Sequence, residues 1–504
     1  MRSNSVFSRP AFALALGGML LAPACVAPAS SGRPPAEIET LLAGLRASEA
    51  PPRVAAACAL EELGDAGRLA GARLEATLAA LEPLLADDRR VDATDSCRSD
   101  FRVDGIELRQ ITSPAFAAAR TLATLGAPAV SLLARNLGQA SPVARAHAAY
   151  ALGEAGGPGA GRPLLAALAD REPRVRQRAA EALGKLEEEG AADDLVRLLG
   201  DADAAVRRAA IESLAQLEMR SAEAQVAALL VDEDVEVRAT AADALGTIGG
   251  PSSAAALEKA AADASWRVRA EAVDTLDDLG VARTVPAALR ALADADARVR
   301  IEAIEALAHH GSGAEVEALG AVVADDDWKV REAAAQALGE LGDGRGRRPL
   351  ARALADPSWR VRAAAAGALG TLQNSDDVGA LASALADPHR DVREAALSAL
   401  GEIGDPKAIA GVAKLLGDAD WRLRQSAAEA IGKLGSTSAV APLVAALGDA
   451  QWGVRQAAVE ALGELGDSSV VPALRRLLKD SRSEVRQAAT EAISSLLDEE
   501  PGEE

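Results

Sequence analysis

An arginine returns every 31 residues through most of this chain. Arg145, Arg176, Arg207, Arg238, Arg269, Arg300, Arg331, Arg362, Arg393, Arg424, Arg455 and Arg486 follow one another without an insertion or deletion. A strict period of this length predicts a stack of small supersecondary units, each unable to bury its apolar face alone. The 504 residues are therefore counted as one elongated domain and not as several globular ones.

Residues at fixed offsets from each arginine define the unit. The third residue after it is Ala in all twelve copies, from Ala148 and Ala179 to Ala458 and Ala489; the seventh is Leu or Ile; the residue before it is usually Val. These offsets share one face of an α-helix, here called helix B. An alanine held in twelve parallel copies implies a close approach between helices. Eleven residues after the arginine comes a frequent glycine (Gly156, Gly249, Gly280, Gly311, Gly342, Gly404, Gly435, Gly466), where helix B is expected to end in a left-handed residue. A second apolar segment follows, such as 440–447 or 471–478, with Pro early, where a first helical turn accepts it. This is helix A of the next unit. Six residues before each arginine from Arg176 onward stands an Asp, from Asp170 to Asp480. The fold expected is all-α, an α-solenoid of about 14 two-helix repeats.

The unit, as in Asp418 to Gly435 (DADWRLRQSAAEAIGKLG), resembles the HEAT-like repeats first associated with phycobilisome lyases, which also underlie artificial alpha-repeat binding proteins. The resemblance covers about 127–497 strongly and 36–126 weakly. It implies a right-handed superhelix, an Asp-to-Arg ladder between neighbouring units, and a binding surface on the helix B side, usually the concave one. Family members include adaptors, scaffolds and lyase subunits, so the resemblance speaks to fold more than to activity.

The N-terminal region departs from the period. Residues 1–24 carry Arg2 and Arg9 before an apolar run, Ala11 to Ala22, too short to span a bilayer, and read as a secretory signal. Leu21 to Cys25 resembles a lipoprotein cleavage box, in which Cys25 would carry the lipid. Plain cleavage after Ala24 or Ala29, or a retained segment, are the alternatives. An exported chain, periplasmic or anchored at the outer membrane, is the expected location. Residues 25–35 form a Pro/Ser/Gly-rich spacer, and 36–126 hold degenerate repeats broken by an insertion at 87–113. Within that insertion, Asp104-Gly105 sits between alternating residues and marks a β-hairpin, read either as a partner contact or as a cap on the first repeats. Cys58 and Cys97 are an even pair that an oxidising envelope would allow to form a disulfide. Residues 498–504 are an acidic tail, expected to be disordered.

Catalytic patterns are missing from the sequence. His147, His309, His310 and His389 have no metal-ligand spacing and read as solvated helix-end residues. No serine lies in a nucleophile elbow, and the Gly-rich stretches 153–161 and 342–346 lack the Lys-Ser/Thr ending of a phosphate loop. The reading is of a non-enzyme without metal or cofactor, a lyase-like role being implied only by the family. A net charge of −21 disfavours nucleic acid and anionic membrane surfaces, leaving a lipid anchor as the membrane contact.

All five tryptophans, Trp266, Trp328, Trp359, Trp421 and Trp452, occupy the column three before the repeat arginine. Elsewhere that column holds Pro142, Ala204, Arg390 or Ser483, so the core does not require an indole there. Beside it, two before the arginine, stand Arg267, Lys329, Arg360 and Arg422. Two readings stay open: an aromatic ledge binding a protein partner or a glycan, or indoles that seal the joint between repeats. The function expected is a non-catalytic scaffold or adaptor.

Overall fold

The computed structural model describes residues 35–65, 69–92, 102–103, 106–107, 111–310, 313 and 315–498. The chain divides into two compact units, 1–157 and 158–504. The division falls in a turn where Gly156, Gly157 and Gly159 take φ of 62°, 87° and 97°, a backbone open to glycine and strained for most other residues.

In the first unit three helices B, Ala50–Asp65, Pro114–Thr124 and Pro142–Ala155, pack in succession. Helix Pro35–Gly44 packs on the first of them and Ala127–Asn136 on the third. Ser113 caps its helix by accepting the Phe116 N–H at 3.2 Å. The insertion contributes two antiparallel pairs of two residues each: Val91–Asp92 with Ile111–Thr112, and Arg102–Val103 with Ile106–Glu107. The second pair flanks Asp104-Gly105, whose own placement lies outside the described residues. Arg53 plays the part of a repeat arginine, donating to the Asp87 carboxylate at 2.6 Å and to the carbonyls of Ala47 and Ser48. Asp87 is 34 residues on, because the degenerate repeat is longer. Cys58 is disulfide-bonded. Cys97 and Cys25 both lie outside the described residues, as do the segments 1–34 and 499–504.

In the second unit eleven helices B, from Pro173–Lys185 to Ser483–Asp498, each pack on the next. Each is preceded by a shorter helix A, such as Arg347–Ala353, Val378–Ala384 or Val440–Ala446, which packs on the helix B that follows it. A single apolar cluster runs from Ala270 to Leu496. The alanine column, from Ala179 to Ala489, is fully buried in every copy. Helix B ends as the glycine column requires at Gly280, Gly342, Gly404, Gly435 and Gly466, with φ between 58° and 70°. Glu187, Glu218 and Gln373 occupy the same column and also take positive φ, so the backbone is dictated by packing and the glycine relieves it. Gly249 is an exception at φ −79°. There the Glu223 carboxylate accepts the N–H groups of Gly250 and Ser253 at 2.9 and 3.0 Å and fixes a different turn. Among the described residues no helix is long and apolar enough to cross a membrane.

Candidate interaction surface

What holds one repeat to the next is a guanidinium. An Asp six residues before one arginine is 25 residues after the previous one, so each arginine lies between its own repeat's Asp and the next. Arg362 donates to the Asp356 carbonyl at 2.8 Å and, through two N–H groups, to the Asp387 carboxylate at 2.7 and 2.9 Å. Arg176, Arg238, Arg269, Arg331, Arg424 and Arg455 repeat the bidentate geometry with Asp201, Asp263, Asp294, Asp356, Asp449 and Asp480. Arg207 and Arg300 make one such bond, and Arg393 stands 3.7 Å from Asp418. Each carboxylate also accepts the backbone N–H two residues on, as Asp387 does from His389 at 2.8 Å. The Arg362 hydrogen bond to Asp387 holds that carboxyl below its ordinary value against the opposing effect of burial. The pairs join one repeat to the next, and the Nε groups of Arg207, Arg300 and Arg393 are buried without a hydrogen-bond partner among the described residues.

A close approach between successive helices B is made by a glycine column eight residues after the arginine. A Cβ on Gly339 would stand 2.8 Å from the Ala368 Cβ, one on Gly370 would stand 2.7 Å from the Ala399 Cα, and one on Gly463 3.0 Å from the Ala492 Cβ. The alanine column expected to make the close approach is buried in every copy, and these glycines add a second column of close contacts. Their signal was present: a glycine recurring inside a good helix carries an intrinsic cost of about 1 kcal/mol that only a contact offsets.

Each tryptophan opens a helix B, and its indole lies against side chains of the repeat joint. The Arg298 guanidinium sits 3.2 Å from the Trp266 ring centre and Arg482 sits 4.9 Å from that of Trp452, both from the following repeat. Arg360 lies between two rings, 4.9 Å from Trp328 and 4.6 Å from Trp359. The opening of the next helix adds His389, stacked on Trp359 at 3.9 Å and 9°. Arg422 lies 4.7 Å from Trp421, and Lys329 5.8 Å from Trp328. Trp266 and Trp452 are 36% and 40% exposed, and the other three are half-buried. Four of the five rings thus meet a side chain of the following repeat while the column stays partly exposed. Arg267 is occupied by the Glu236 carboxylate at 2.5 Å, whereas Lys329, Arg360 and Arg422 are exposed, with no carboxylate within 4.0 Å among the described residues.

On the same helix layer, carboxylates crowd between Glu181 and Asp278. Burial raises Glu212 and Asp243 above their ordinary values, and burial together with Asp243 and Asp274 pushes Glu271 up to about 7.

One joint departs from the glycine column. Asp277 stands where Gly339 and Gly370 stand in their repeats, buried at 5% exposure. Its carboxylate Oδ2 is hydrogen-bonded to His309 Nδ1 at 2.8 Å, and His310 Nε2 is hydrogen-bonded to its backbone carbonyl at 2.9 Å while standing 2.9 Å from Oδ1. These two histidines are exposed at the end of Ala297–His310, as expected, and are at the same time partners of a buried acid; His147, in contrast, is buried inside its helix, its Nδ1 facing the Val143 carbonyl at 2.9 Å. Replacing both His309 and His310 with Ala should cost about 2 kcal/mol by leaving the buried carboxylate short of donors. Adding Asp277→Gly should recover most of that loss by restoring the residue of the neighbouring joints. Urea melts of the double and triple variants decide it; a triple variant no more stable than the double refutes the account. Among the described residues no group of three His, Cys, Asp or Glu side chains could hold a metal ion.

Paired helices of this size, stacked in one register through backbone-close glycines and a carboxylate–guanidinium ladder, make this an all-α solenoid repeat protein. Sequence matches to HEAT repeats run from 130–215 through 195–277, 254–339, 316–401, 347–431 and 378–453 to 411–494, and the chain belongs to the HEAT-repeat family. No curated protein matches it in sequence. Its fold is similar to that of Kap121p (TM-score 0.52, 15% identity, covering 88% of this chain and 55% of that one). It is similar also to Kap95p, in a structure concerning its binding to RanGDP (TM-score 0.50, 16% identity, 92% of this chain and 66% of that one). The chain thus spans between about half and two thirds of these larger solenoids. The CpcE–CpcF complex of phycocyanin lyase from Nostoc sp. is 27% identical over 42% of this chain and 94% of that one, with a TM-score of 0.30.

Proposed function

We propose that this chain is a non-catalytic scaffold that holds another protein along the edge where its helices B begin. The observation that carries the reading is the tryptophan column: five indoles on stacked helices in the same register, four of them against a side chain of the following repeat and Trp421 against its neighbour Arg422. A surface fixed in this way loses little side-chain entropy on binding. The cell-envelope location, with Cys25 as a lipid anchor, is part of the same proposal and rests on the sequence pattern of residues 1–25 alone.

Photoreactive residues at Trp328 and Trp421, with a control at the exposed Val444 of helix A, test it in cells. A discrete protein adduct from the two tryptophan positions, missing at Val444, is the expected result. The same diffuse background from all three positions would remove the edge as a protein site.

A further inference from the structure

We infer that the edge from Lys329 to Arg422 selects an extended acidic segment of the partner, with carboxylates at positions i, i+3 and i+9 and none at i+6. The inference rests on the scaffold reading above and narrows it to a chemistry.

The argument begins with which cations are already used. Arg267 is paired with Glu236 at 2.5 Å, Arg298 with Asp296 at 2.8 Å, Arg390 with Glu394 at 3.1 Å and Arg482 with Glu484 at 2.8 Å. Glu332, three residues after Lys329, feels the Arg360 charge without forming an ion pair within 4.0 Å among the described residues, and several other acids of this edge are engaged elsewhere. Asp327 and Asp420 accept the backbone N–H groups of Lys329 and Arg422 at 2.8 and 3.0 Å. Asp356, Asp387 and Asp449 are held by the ladder arginines. Lys329, Arg360 and Arg422 are left exposed beside indole rings.

Arg360 is the anchor of the three. With Trp328 at 4.9 Å and Trp359 at 4.6 Å, its guanidinium is positioned by aromatic rings while its N–H groups stay unpaired. Rings satisfy the cation over their faces and leave the N–H edge for a planar, bidentate acceptor, which a carboxylate supplies.

Spacing follows from packing. Successive helices B lie about 10 Å apart, and a partner in the extended polyproline II conformation advances about 3.1 Å per residue with three residues per turn, so one repeat corresponds to about three partner residues and i, i+3, i+6 and i+9 share one face. Lys329 and Arg360 are one repeat apart, and Arg360 and Arg422 two. The repeat between them places Asp391 in the same column, exposed, so the partner residue at i+6 meets a like charge if it is acidic. A lysine or a neutral residue there completes the pattern.

The test uses the full chain and labelled 14-residue peptides in a Gly/Ser background, read by fluorescence anisotropy at moderate salt. A peptide with Glu at i, i+3 and i+9 and Lys at i+6 should bind at least tenfold more tightly than its all-Gln counterpart, and moving the lysine's position to Glu should weaken it several-fold. Arg360→Gln with Arg422→Gln should lose about tenfold while the thermal melt falls only slightly, since neither cation belongs to the ladder and only their ring contacts are given up. Equal binding of acidic, Gln and Lys peptides, no binding by any of them, or an unchanged affinity in the double variant would overturn the inference. Sequencing the segment crosslinked from Trp328 and Trp421 separates the two claims. A discrete protein joined through a neutral or basic segment refutes the acidic register alone, whereas the capture of no discrete protein refutes the scaffold reading beneath it.

Discussion

Gly370→Val should destabilise the second unit by about 3 kcal/mol, while Gly367→Ala in the same helix should stabilise it by a few tenths to 1 kcal/mol. The two glycines differ only in what faces them. A Cβ on Gly370 would stand 2.7 Å from the Ala399 Cα and 2.9 Å from Glu402 Oε2, so the next helix must move; around Gly367 nothing lies within 4 Å. Removing a helix-interior glycine without a clash recovers the propensity lost to it. Denaturant melts followed by circular dichroism measure both. Since repeat arrays are held by nearest-neighbour interfaces, the Gly370 variant should also unfold in two steps, as the repeats on either side of the damaged joint separate in stability. Equal effects of the same sign would show that helix propensity, and not the interhelical approach, governs the column.

Arg362→Ala should cost up to about 3 kcal/mol, because it strips the Asp387 carboxylate, 10% exposed, of both charge-assisted bonds. Arg486→Ala should cost far less, since that side chain is exposed and bonds only the carbonyls of Asp480 and Ser481. The ladder also predicts an acid limb. The arginine partners lower the folded pKa of Asp294, Asp387, Asp449 and Asp480 from the ordinary 3.8. Their contribution is complete above that ordinary value and is lost as the pH falls through the lower folded ones. Melting temperature should therefore fall steeply below about pH 4, and less steeply in Arg362→Ala, which has already lost one rung. An acid limb identical in the variant would mean the pair contributes nothing at neutral pH.

The period made the architecture legible before any coordinates, because every position is sampled a dozen times. Val330, Ala334 and Leu338 are fully buried as their spacing requires, and the Asp-to-Arg contact is arithmetic: 31 minus 6 places Asp387 beside Arg362. What escaped was whatever depends on the neighbouring helix. What faces Gly339 and Gly370 is decided by Ala368 and Ala399 on the next helix, which offsets within one helix do not show. The tryptophans could not be divided between joint and surface, since a ring lying over the next repeat does both. Asp277 and the His309-His310 pair are 32 and 33 residues apart, one repeat plus a step, and only the stacking of two helices shows that they meet.

Because each arginine reaches from its own repeat's Asp to the next, the chain can be edited in whole units. Excising residues 363–393 would bring Asp418 to the place Asp387 held, 25 residues after Arg362, with an equivalent carboxylate offered at an equivalent distance. Shortening or duplication in steps of 31 therefore preserves every bond in the second unit's ladder and changes only the length of surface presented. The first unit does not share this freedom, since its step from Arg53 to Asp87 is 34 residues and accepts no regular repeat in exchange. Reach along a partner is the property that evolution or design can most readily alter in this molecule, and it alters by quanta.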